Sequence, residues 1–168
     1  MFKTSGAAEL DISYFDASNV TDVGLMFNGM TELSSLTLGN IFDARKVTNM
    51  TSSLGYLGSL KTIDLTGVKL RDVIDMSRLF NGSKLEQITF GTDIDTSKVT
   101  NMYNLFNRCS KLSNLRLDNF TFNENVSLGS FLTGLADDIN TYVKSDTEKT
   151  FISSNTSINS AKIIVAGT

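Results

Sequence analysis

Three aspartates stand at equivalent places in three related phrases: Asp16 in DASNV, Asp43 in DARKV and Asp95 in DTSKV. Stacked carboxylates attract hard cations such as calcium, so this ladder is the first pattern to weigh for chemistry. Lys69 and Thr121 break it at the same slot, and no copy carries the dense Asp and Gly pattern of a calcium loop. The better fit is a recurrent turn whose Asp side chain bonds nearby backbone, and no metal is assigned. Nucleophilic chemistry has less to work with. The chain has no His, so no Ser or thiol has the commonest general base beside it. Its one cysteine, Cys109, falls in the slot that holds Met30 and Leu57 in earlier copies, which makes it a core filler. The glycines are dispersed and form neither a phosphate loop nor a dinucleotide fingerprint. These patterns predict a chain that is not an enzyme and takes no cofactor.

What must position these residues is a repeat. Aligned on the apolar residue that follows a polar cap, successive segments place Val23, Met50, Met76, Met102 and Leu128 in one column, about 26 residues apart. Such a period is the signature of a solenoid, in which neighbouring units bury each other's apolar faces. Each unit opens with an apolar, polar, apolar triplet: Leu10-Asp11-Ile12, Leu36-Thr37-Leu38, Ile63-Asp64-Leu65, Ile88-Thr89-Phe90 and Leu115-Arg116-Leu117. This is strand alternation with one buried face, and it predicts a continuous parallel sheet, one strand per coil. Thr141-Tyr142-Val143 supplies a sixth, weaker rung.

An apolar anchor follows at Phe15, Phe42, Val68, Ile94 and Phe120, then a loop valine at Val20, Val47, Val73 and Val99. In the last copy Asn125 stands in the valine slot, which predicts a distorted fifth coil with Val126 swung into the place. The cap column reads Asp22, Asn49, Asp75, Asn101 and Ser127, all good N-cap types. Apolar residues then recur at plus three and plus four, as in Met76, Leu79 and Phe80, the stripe of a short helix. Leu33, Leu60, Leu85 and Leu112 return the chain to the next strand.

The fold class expected is therefore an α/β solenoid, leucine-rich-repeat-like, with a parallel strand and a short helix per 26-residue coil and a C-terminal cap. A single domain spans residues 1–168, with about five coils over 8–140 and the sixth strand and cap over 141–168. Composition agrees with one body: 168 residues, 40% hydrophobic and 20% charged. A net charge of −3, with no run of Lys or Arg, argues against nucleic acid as a partner. No apolar stretch is long enough to cross a membrane.

The phrases LDISYFDASNVTDVGLMFNGMTEL, FDARKVTNM and DIDTSKVTNMYNLFNRCSKLSNLRLDNF resemble the bacterial surface protein 26-residue repeat, the BspA-like branch of the leucine-rich repeats, over about residues 8–140. The third copy lacks the Phe-Asp pair and the fifth loses Val-Thr-Asn-Met. The resemblance implies an exported or cell-surface protein of bacteria, with adhesion to host or neighbouring cells as its role. Its implied partner is a surface protein or glycoprotein, and the module is expected to be a monomer. The tail from Thr141 onward resembles the closing segment of such domains; Phe151, Ile152, Ile158, Ile163, Ile164 and Val165 are placed to cover the last coil. The other end is shielded by little more than Phe2.

Alternation turns the middle residue of each strand outward, so the open face reads Asp11, Thr37, Asp64, Thr89, Arg116 and Tyr142. The candidate partner-binding residues are Arg116, Tyr142 and Lys144 on successive rungs, with Thr89 and Asp64 further along. An aromatic beside an Arg is the pair expected of an interface anchor. A passive spacer that holds another domain away from the cell surface is the alternative function.

Overall fold

The computed structural model describes residues 1–38, 44–157 and 162–167. It is a parallel-strand β-solenoid. Its strands are β1 (Glu9–Asp11), β2 (Ser35–Thr37), β3 (Thr62–Leu65), β4 (Gln87–Phe90), β5 (Asn114–Arg116) and β6 (Asn140–Val143), followed by helix α1 (Asp146–Asn155) and strand β7 (Ile163–Val165). Strand alternation works as the triplets predict: Ile63, Leu65, Ile88, Leu115 and Leu117 are buried, and the residues between them face outward. The valine, leucine and helix-stripe columns also fill the core, with Val47, Val73, Val99, Leu33 and Leu85 fully inaccessible. Phe80 stacks on Phe106 at 5.5 Å between centroids, and Phe106 meets Phe131 edge-on at the same distance. Such pairs add about 0.5–1.5 kcal/mol to the burial of each ring.

The short helices do not form in the described coils. Their place is taken by a staircase of turns, with Leu25, Ser52, Arg78, Asn104 and Ser130 at left-handed φ between 53° and 59°. The reason is where the amides go. Leu25, Phe27 and Gly29 donate to the carbonyls of Thr51, Ser53 and Gly55 on the next coil at 2.9–3.0 Å, while Met26 and Asn28 close turns onto Val23 and Leu25. A helix keeps every such bond inside its own segment; here alternate amides are spent between coils. The apolar stripe survives because both conformations turn Met76, Leu79 and Phe80 inward, where all three are buried.

Nor is the sheet continuous. Among the described residues β1 pairs with β2, β3 with β4, and β6 with both β5 and β7, all in parallel. The paired steps, Leu10 to Leu36, Ile63 to Ile88 and Leu115 to Thr141, are 26, 25 and 26 residues. Both unpaired steps, Leu36 to Ile63 and Ile88 to Leu115, are 27. A residue too many beside a strand disrupts its ladder; between β4 and β5 the link falls to flanking residues, with the Ser113 amide and hydroxyl reaching Glu86 O at 3.2 Å each and Asn119 Nδ2 reaching Gly91 O at 3.3 Å. The unbroken ladder lies instead on the cap column, where parallel bridges join Asp22, Asn49, Asp75, Asn101 and Ser127 in sequence.

Val126 does occupy the valine place of the fifth coil: it is buried and its amide donates to Asn123 O, as Val99 does to Thr96 O. Phe42 and Asp43 lie outside the described residues, as does Ile158. At the C-terminal end α1 and β7 close the last coil, with Ile152 and Ile163 buried and Phe151 against Phe122. A reciprocal cap starts α1: the Glu148 amide donates to Ser145 Oγ at 3.3 Å and the Glu148 carboxylate accepts from the Lys144 amide at 3.1 Å. At the opposite end Phe2 stacks on Phe27 at 5.9 Å and touches Phe15, which stays 41% exposed.

Two outcomes follow from this packing. Ser130→Gly relieves a left-handed residue and should raise stability by about 0.5–1 kcal/mol in denaturant melts; were the segment helical, the same change would cost about 1 kcal/mol. Cys109 donates its thiol to Phe80 O at 3.0 Å, and burial pushes its pKa up to about 11. It should therefore ignore thiol reagents at roughly pH 8 until the chain unfolds, and rapid labelling of the folded protein would contradict its place in the core.

Candidate functional site

The strand face delivers one organised pair. Arg116 on β5 and Tyr142 on β6 are direct register partners, and alternation turns both away from the core. The Arg116 guanidinium carbon lies 4.9 Å from the centroid of the Tyr142 ring. Its far side is held by Asp118, with Nε donating to Oδ1 at 3.1 Å and Nη2 to Oδ2 at 2.8 Å. That two-point bond pulls the Asp118 carboxyl below its ordinary range and raises the Arg116 guanidinium. An exposed Arg and a half-buried Tyr are thus fixed before anything binds, which lowers the entropy lost on contact.

The other predicted residues do not join them. Lys144 is drawn toward the helix, its Nζ 3.2 Å from Glu148 Oε1 and 3.3 Å from Thr121 Oγ1. Asp64 and Thr89 face each other across β3 and β4, on the far side of the break between β4 and β5. Asp64 turns back to accept from the Thr66 amide at 2.9 Å. The five candidates therefore resolve into one pair, one corner residue and one separate pair.

The aspartates that first drew notice act as turn acceptors, with Asp16 taking the Ser18 amide and Asp95 the Ser97 amide, each at 2.9 Å. Among the described residues no three His, Cys, Asp or Glu side chains could hold a metal ion together.

The cap column does more than its residue types predict. Asp22, Asn49, Asp75 and Asn101 each accept the amide two residues on, at 2.7–3.1 Å. They also bond across coils: Asn49 Nδ2 donates to Asp22 Oδ2 at 3.1 Å, and Asn101 Nδ2 to Asp75 Oδ2 at 2.9 Å. The alternation of Asp and Asn was the visible signal. Two stacked carboxylates would repel, whereas an amide supplies the donor a carboxylate lacks.

Asp75 sits in the middle of this ladder. Burial pushes its carboxyl up, but bonds from Ser77, Asn101 and Thr51 outweigh that and hold it below the usual range. A lowered folded-state pKa means stability that is present above the unfolded value of about 4 and lost as pH falls through the folded one. Asp75→Ala should cost roughly 0.5–2 kcal/mol near neutrality, and the gap to the parent should shrink on acidification. Melts that run parallel from pH 7 to pH 3 would count against this ladder.

The comparisons with known proteins concern the repeat as a whole. A family model described as "Mycoplasma protein of unknown function, DUF285" matches residues 1–120 and again 58–162. The overlap of the two matches is natural for a repeat, on which one pattern can be laid in two registers. No curated protein and no solved structure matches the chain. With most of its length matched, and with a solenoid built from those same units, the chain belongs to the DUF285 family of Mycoplasma proteins of unknown function.

Proposed function

We propose that this chain is a noncatalytic binding module of a bacterial cell surface, related to the BspA-like repeat proteins, which meets a host or neighbouring-cell surface protein or glycoprotein on its strand face. The observation that carries the proposal is the Arg116–Tyr142 pair, preset by Asp118 on an open sheet. A rigid aromatic stacked with an Arg is the kind of group that anchors interfaces. The rest of the chain supports a binding role over a catalytic one: it has no His, and its one thiol is buried and protonated. No described helix is long and apolar enough to cross a membrane.

The test is surface binding of the full chain to a panel of purified matrix glycoproteins and mucins. Arg116→Ala and Tyr142→Ala should each weaken the bound member by roughly tenfold or more, with the melting temperature nearly unchanged. Undiminished affinity in the double variant, or no binding to any member, would favour the passive spacer.

A further inference from the structure

The turn staircase has a charge pattern that the strand face lacks. Residues 50–60, 76–85 and 102–112 form the turn side and the bend after it in coils two to four, and they contain no Asp or Glu, whereas the matching bends of coils one and five carry Glu32 and the pair Asp137 and Asp138. They do contain Arg78, Lys84, Arg108 and Lys111, all exposed. None of these four makes an ion pair among the described residues, whereas Lys61, Lys98, Arg116 and Lys144 each do. On a chain of net charge −3, this side is thus cationic across coils two to four, and its cations there make no ion pair among the described residues.

Two tyrosines share that side. Tyr56 is 48% and Tyr103 39% exposed. Each lies against a glycine of the following coil: a Cβ on Gly82 would stand 2.8 Å from the Tyr56 ring, and one on Gly129 2.8 Å from the Tyr103 ring. At both glycines any larger residue would push the ring away. Asn81 Nδ2 donates to Tyr56 Oη at 3.2 Å, and the Arg78 guanidinium carbon sits 5.1 Å from the centroid of Tyr103. The rings are therefore seated and aimed before any contact.

We propose that this turn side is a second binding site, separate from the strand face, for an acidic oligosaccharide extended along the solenoid axis. The chemistry selects that partner. Carboxylated sugars need flat rings to stack on, cations for their acid groups, and amides or hydroxyls for the rest. Tyr56, Tyr103, Arg78 and Arg108 supply the first two; Asn104, next to Tyr103 in the chain, and Ser130, next to the Gly129 that seats the Tyr103 ring, supply the third. An acidic peptide shares the charge, but polypeptide ligands draw their affinity from apolar side chains set into pockets. On coils two to four of this side the exposed large apolar residues are the two tyrosines alone, among the described residues. An Arg fork takes a carboxylate in two bonds, which a surface Lys does not.

The experiment is interferometry of the full chain on immobilised decagalacturonate, with neutral dextran and poly-L-glutamate as controls. Decagalacturonate should bind, dextran should not, and added salt should weaken the binding. The double variant Arg78→Ser, Arg108→Ser should lose about tenfold or more in affinity, and Tyr103→Ser several-fold with no change in net charge. Arg108→Ser alone leaves the Arg78–Tyr103 contact in place and should also weaken binding, while Arg116→Ala on the strand face should not. Melting curves of each variant confirm that it is folded. Absence of binding at low salt overturns the proposal. So does equal binding to poly-L-glutamate with no effect of Tyr103→Ser, which would make the side a general polyanion or acidic-peptide surface.

Discussion

Coils one to four of this protein leave about half of their turn amides without a partner until the next coil arrives. Leu25, Phe27 and Gly29 have no carbonyl within their own segment to take their hydrogen; Thr51, Ser53 and Gly55 provide it from one level on. A buried amide without a partner is costly, so no coil is a stable unit by itself. Stacking is the condition for folding as well as its result. The core follows the same rule, since Phe80 finds its ring partner in Phe106 of the next coil rather than in its own.

The cap column shows how side chains are recruited to the same end. Asp22 and Asp75 bind their own turns and accept from Asn49 and Asn101 of the coils that follow. A purely acidic column would satisfy each turn and repel between turns; a purely amide column would lose the charge-assisted bonds. Alternation does both jobs, and the column stays bridged where the strand side is interrupted. The two sides thus carry different loads, with continuity on the caps and tolerance of an extra residue on the strands.

That division leaves two outward surfaces with different chemistry. On the strand side cations are largely engaged: Arg116 by Asp118, Lys61 by Glu86, Lys144 by Glu148. On the turn side of coils two to four acidic residues are missing, and Arg78 lies over an aromatic ring with no ion pair among the described residues. Surface charge costs little to move in evolution because exposed pairs contribute little to stability. A segregation of this kind is therefore more informative about contacts made by the surface than about the fold beneath it.

The period, the buried columns and the outward register of the strands were all written in the sequence, because apolar spacing records which side of the backbone faces the core. The same reasoning placed Arg116 beside Tyr142, since neighbouring parallel strands stay in phase over a 26-residue step. The conformation of the turn side was not legible. A stripe at plus three and plus four, such as Met76, Leu79 and Phe80, satisfies a helix and a staircase equally well, and only the destination of the amides separates them. That destination is the next coil, some 26 residues away, where local spacing carries no information. Lys144 was decided in the same way: its neighbours in sequence point it outward with Tyr142, but the helix that packs beyond it brings Glu148 within 3.2 Å and takes its charge. The sequence by itself determined which way each residue faces and the in-phase neighbours that follow from it, whereas the partners of the turn amides and of Lys144 were decided only by the tertiary structure, because hydrogen bonds and ion pairs are chosen by distance in space.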